Sequence, residues 1–318
     1  MLDQTASSEE QARFRHLLAV GERTRRSLPD QLRHRIGLPD PCLFDDETIA
    51  RARGLLVHLT SQLAGQRPVP SNGSGLEQGA AYQARRDGIL AAVLAEPALL
   101  AHAHALSLEY RLTSRLQIEA DIDPLLPPLL QELVASPHDR TSKLASAVLA
   151  AQSRYLSNME RMQLPMRQLP AELLHIAMAI GRSCQTDPIL ADAIDQAVQI
   201  SYDEGSTRLA LIEMLASSRD LLPARTWHIE QSGVALFLAR LLPAASGYPD
   251  AVLLTTPGYS PQLALTLRML DCSPRAVNRT LFLLHEEIAA ASISGIDQAG
   301  AAELLAEIRR GSPELSAA

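Results

Sequence analysis

Aromatic residues are scarce in this chain: four phenylalanines, six tyrosines and one tryptophan, together 3% of 318 residues. Nearly half of the residues are nonetheless hydrophobic, so the apolar mass falls to leucine, alanine and isoleucine, the side chains of helix packing. Lysine is rarer still. Lys143 is the only one, and the other basic residues are arginines. This bias can record base composition as readily as a need for guanidinium. Three cysteines, Cys42, Cys184 and Cys272, lie far apart and outside any C-x-x-C spacing. That excludes a disulfide framework or a thiolate zinc site as the organising principle and points to a reducing compartment.

Positive charge is also in deficit. A net charge of -7 and a pI near 5.7 repel polyanions on average, which argues against a nucleic-acid binder that uses its whole surface. No window reaches the roughly 18 uninterrupted apolar residues of a spanning helix. Asp3, Glu9 and Glu10 stand where a signal peptide would carry positive charge. The expectation is a soluble protein of the cytoplasm. A chain of this length can bury roughly three-quarters of its surface, so core size is not limiting.

Period-two alternation nowhere persists, whereas helical periodicity recurs from end to end. The expected fold is all-α, an irregular multi-helix array or bundle without a β-sheet. Four segments are expected: a helical start over 1–64, a linker or loop over 65–79, a main helical domain over 80–295, and a C-terminal helix with a frayed tail over 296–318. The linker is Gly-, Pro- and Ser-rich but lacks the lysine and preceding strand of a phosphate-binding loop. In the first segment Arg13, Arg15, Arg23, Arg25 and Arg26 alternate with Phe14, Leu17 and Leu18, with Pro29 expected to interrupt the helix. These arginines form either a partner-binding arm or a solvated face paired with Glu9, Glu10 and Glu22.

Chemistry-bearing residues are few. His102 and His104 are two apart, so they point to different sides of a helix and do not make the i,i+4 pair of a zinc helix. Neither a metal nor a cofactor is expected. His175 sits in Leu173 to Ile180, a stretch otherwise apolar on every side, which predicts a buried helix. It can be a phosphoacceptor or general base if exposed, and a core imidazole if not. Asp203 and Glu204 are adjacent carboxylates that serve either acid–base chemistry or, more simply, a helix end beside Gly205. An enzyme assembled from His138, His175, His228, Asp203 and Glu204 would need them to converge in space. Trp227 and Phe237 fall on core positions.

Five short stretches follow one another in a recognisable order. They are Ala150 to Tyr155, Leu169-Pro170-Ala171-Glu172-Leu173-Leu174-His175, Ser201-Tyr202-Asp203-Glu204-Gly205, Val234 to Ala239, and Leu267 to Leu270 followed by Ser273-Pro274. In these the chain resembles the bacterial domain of unknown function 2336 over residues 40 to 290. Gln168 departs from the acidic cap expected there. The resemblance implies a helical, partly HEAT-like protein with no catalytic residues to carry over, although no clean internal period is present. The reading is a non-enzymatic interaction or regulatory protein whose partner is another protein. A homo-oligomer, and phosphotransfer through His175, remain open alternatives.

Overall fold

The computed structural model describes residues 2–37, 47–65, 75–185, 188–218, 223–285 and 296–310. Among these the chain is all-α, with no strand: α1 Leu2–Gly37, α2 Glu47–Leu63, α3 Gly75–Ala95, α4 Pro97–Ala120, α5 Pro128–Val134, α6 Asp139–Glu160, α7 Ala171–Ser183 and α8 Pro188–Ser201. They are followed by α9 Arg208–Ala216, α10 Pro223–Thr226, α11 Ile229–Leu241, α12 Tyr248–Leu253, α13 Ser260–Met269, α14 Pro274–His285 and α15 Gln298–Arg310. Proline opens α4, α5, α8, α10 and α14, where its missing N–H costs no intrahelical bond. At Glu96-Pro97 the chain turns by 82° between α3 and α4. The Glu96 carboxylate accepts from the Ala98 N–H at 3.3 Å and so caps the new helix.

Three helix ends use a left-handed residue other than glycine, the first being Asp121, at φ 52°, after α4. Met162, at φ 53°, and Asp271, at φ 63°, follow α6 and α13. Gln163 N–H reaches the Asn158 carbonyl at 2.8 Å and Cys272 N–H the Leu267 carbonyl at 2.9 Å, the six-to-one bond of a Schellman ending. Met162 is thus a terminator and not a member of the apolar face of α6. Its side chain lies on Gly54, where a Cβ would sit 2.8 Å from the Met162 sulfur.

The chain forms two compact units, each assembled from separated stretches. The first comprises residues 1–28, 112–145 and 215–318; the second comprises 29–111 and 146–214. These units cut across the four sequence segments expected above. Residues 66–74 of the expected linker and 311–318 of the expected tail lie outside the described residues, and α3 already begins at Gly75. Pro29 does not interrupt α1, although the division between units falls there. Leu18 and Leu32, on either side of it, are buried.

In the first unit Leu18 of α1 packs with Leu265 of α13 and with Ala301, Leu305 and Ile308 of α15. The C-terminal helix is therefore part of a core and not an appendage. Gln262 donates to the Leu18 carbonyl at 2.9 Å, reaching it over Gly21, where a Cβ would collide with its amide. Trp227 and Phe237 are core residues in an edge-to-face pair with centroids 6.5 Å apart. In the second unit Leu55, Leu56, Leu59 and Leu63 of α2 are buried, as are Ile89, Val93, Leu99, Leu100, Val148 and Leu174.

Candidate functional site

Helix α7 buries only Leu174, Ala177 and Gly181, a single stripe at spacing three and four. Glu172, His175, Ala179, Arg182 and Ser183 are exposed. The expectation that this helix is covered on all sides is therefore overturned. Apolar composition predicts burial only where neighbours exist on every side, and α7 packs against α2, α3 and α8 alone among its main partners. Helix α8 buries only Ala191.

Between these two helices, within the second unit, lies an open groove of about 540 Å³. Its walls are Leu174, His175, Met178, Ala179 and Arg182 from α7, and Asp195, Val198 and Gln199 from α8, with Tyr202 at one end. The volume falls in the range of sites that accept a drug-sized molecule or the side chains of a docked segment. Most of the wall is apolar, and the polar groups converge from both helices. Arg182 pairs with Asp195 and lies 3.4 Å from Asp192, which fixes α7 to α8 at the far end.

The near end is built by the Ser201 to Gly205 stretch. Pro170 stands at the N-cap of α7 and has no side chain with which to cap it. Glu204 supplies the missing acceptor, its carboxylate taking the Ala171 N–H at 3.4 Å, and the Tyr202 hydroxyl donates to the Leu169 carbonyl at 3.1 Å. Asp203 caps the short turn Glu204–Ser206 by accepting from Gly205 N–H at 3.1 Å. Burial, followed by the negative charges of Glu204 and Asp203, pushes the Tyr202 phenol up, so it stays protonated and able to donate. Gln168 caps α9 in turn, its side-chain oxygen accepting from Arg208 N–H at 3.4 Å.

His175 thus lines the groove, while Asp203 and Glu204 hold its near end together. No serine, threonine or cysteine is among the lining residues, and the hydroxyl that is there, on Tyr202, donates to the Leu169 carbonyl. His138 and His228 are exposed in the first unit and line no part of this groove. Among the described residues no group of three or more His, Cys, Asp or Glu is arranged to hold a metal ion. The arginines of α1 divide: Arg25 pairs with Asp250 at 2.8 Å and Arg26 with Glu22 at 3.2 Å, while Arg13, Arg15 and Arg23 are exposed.

A separate charged cluster is buried in the core of the second unit. Buried Arg208 grips the Glu109 carboxylate with both terminal nitrogens, one at 3.0 Å, donates its Nε to Gln152 at 2.7 Å and stacks 3.8 Å over the Tyr155 ring. Arg51 stacks 4.3 Å over Tyr110 and donates to the Met159 carbonyl. His102, beside this network, is pushed down to about 4 by burial and by the Arg208 charge, so it is neutral at pH 7. The adjoining cavity, of about 30 Å³, is large enough for one or two waters. Fully paired and walled in, the network ties α2, α4, α6 and α9 together. Its sequence signal is Glu109 within the mostly apolar face of α4, a charge that demands a partner.

No protein-family profile, curated protein or solved structure matches the chain. No single described helix is long and apolar enough to cross a membrane.

Proposed function

We propose that the chain is a non-enzymatic interaction or regulatory protein of the bacterial cytoplasm, and that it receives a segment of a partner protein in the groove between α7 and α8. The observation that carries this reading is a sizeable, mostly apolar groove whose polar rim is already committed to holding the two helices. Asp195 lines the groove with Arg182 and His175, and the two helices and the turn that frame it add Glu172, Asp192, Asp203 and Glu204 and no further base. The fitting occupant is a basic amphipathic helix, its apolar residues against Leu174, Met178 and Val198. The resemblance to the bacterial domain of unknown function 2336 supports the same class of protein. Photocrosslinking from Ala179 in the native host tests it. A partner captured there, and not from exposed Arg154 on α6, is expected; equal capture at both positions contradicts the groove.

A second reading is favoured by the exposure of His175: phosphotransfer through its imidazole. A ring nitrogen would attack the phosphorus of an acyl phosphate, forming the P–N bond as the P–O bond to the carboxylate breaks and the carboxylate departs. Incubation with acetyl phosphate followed by phosphorus NMR distinguishes the two readings. An acid-labile phosphoryl group that is lost in His175→Gln supports transfer, and an unmodified chain rejects it.

A further inference from the structure

Helix α8 is apolar on the side facing its own unit and apolar again along an exposed flank. Leu190, Ala191, Ile194 and Val198 turn inward, with Ala191 buried and the others half-buried. At 100° per residue Ile189, Ala193, Ala197 and Ile200 share a second strip about 120° round the helix from that inward side. Both isoleucines are 79% exposed, and both alanines are exposed. A helix on a monomer surface places polar groups there. Here the polar residues Asp192, Gln196 and Gln199 run along one edge of the apolar strip.

We propose that this outward face is a self-association surface, on which a second copy of the chain lays its own α8 antiparallel. Three features of the strip point to a second copy. First, its order, isoleucine, alanine, alanine, isoleucine at spacings of four, four and three, reads nearly the same from either end. A two-fold axis near the level of Asp195 sets Ile189 against the partner's Ile200 and Ala193 against the partner's Ala197, which is the self-complementarity an isologous interface requires. Second, the two small residues fall at the centre, where helix axes must approach to roughly 8–10 Å. Third, α8 carries two acids and no base. Parallel pairing would place Asp192 beside its own copy, whereas antiparallel pairing separates the two by roughly 8 Å along the axes and opposes the helix dipoles. Asp195, nearest the axis, is turned to Arg182 on α7.

One helix pair buries less than the roughly 1,200 Å² of a standard interface, so the dimer is weak and depends on concentration. The association does not rest on the groove reading, because the strip faces away from the groove wall. Sedimentation of the full chain from nanomolar to high-micromolar concentration tests it. The expected result is a monomer–dimer equilibrium that Ile200→Glu weakens roughly tenfold or more, with unchanged thermal unfolding because this side chain is already exposed. Cysteine crosslinking then reads the register, in a background with Cys42→Ser and Cys184→Ser. A mixture of Ala193→Cys and Ala197→Cys chains is expected to form disulfide dimers. Ile189→Cys alone is not, because its two copies would stand roughly 17 Å apart along the axes. A monomer at every concentration, a dimer indifferent to Ile200→Glu, or self-crosslinking of Ile189→Cys overturns the proposal.

Discussion

The guanidinium of Arg208 lies 3.8 Å over the ring of Tyr155 while both of its terminal nitrogens hold the carboxylate of Glu109, a residue 99 positions earlier in the chain. Both charges are buried, so each depends on the other for the solvation that water would have supplied. Arg208→Met strands the Glu109 carboxylate and is expected to destabilise the protein by about 3–5 kcal/mol in urea unfolding. Adding Glu109→Leu to it should recover most of that loss, since an apolar pair of similar volume has no charge to strand. If the double variant is as unstable as the single one, packing of Arg208 on Tyr155, and not the ion pair, holds these helices.

Stability should also fall with acid in a defined window. Folding lowers His102 from 6.5 to about 4, and His285, half-buried beside Arg115, from 6.5 to about 4 as well. Below pH 6.5 the unfolded chain takes up protons that the folded chain refuses. The stabilisation is therefore complete above pH 6.5, declines as the pH falls toward 4, and is flat below that. The contribution of fully buried His102 is roughly 3 kcal/mol across the window. Urea midpoints measured from pH 7 to pH 4 should decline more gently in His102→Asn than in the wild type. An identical decline in the two would mean that His102 titrates normally.

Two glycines should respond to alanine in opposite directions. Gly233 interrupts α11 at φ 68° and ψ 173°, and a Cβ there would stand 2.8 Å from the ring of Pro127. Gly233→Ala is expected to cost about 1–3 kcal/mol. Gly88 lies within α3 with open space around the site of a Cβ, and Gly88→Ala should add about 0.5–1 kcal/mol. Thermal unfolding of both variants checks the pair.

The fold class was legible because its signals are local. Leucine and alanine at helical spacing, prolines at helix starts and the turn chemistry of Asp203 all act within a few residues. What escaped depends on distant neighbours. Nothing near Glu109 announces Arg208, and nothing in Leu173 to Ile180 reveals that α7 is covered along one stripe only. The same holds for α8, whose Ile189 and Ala193 read as core residues beside Leu190 and Ile194 yet are exposed. Two units built from separated stretches cannot be read from composition shifts along the chain. Of the candidate residues, Asp203 and Glu204 were legible as caps, but that Glu204 caps α7 and not its own turn follows from the close approach of Ala171.

The interaction reading is tested most directly by the affinity between the full chain and the partner recovered from Ala179, measured for the wild type and for Met178→Glu. Met178 is half-buried in the groove wall, and a carboxylate there places charge against the apolar face of the docked segment. With circular dichroism unchanged, the account predicts binding at least about tenfold weaker, together with wild-type binding that falls as salt is raised because the rim is acidic. An affinity that Met178→Glu leaves unchanged would contradict it.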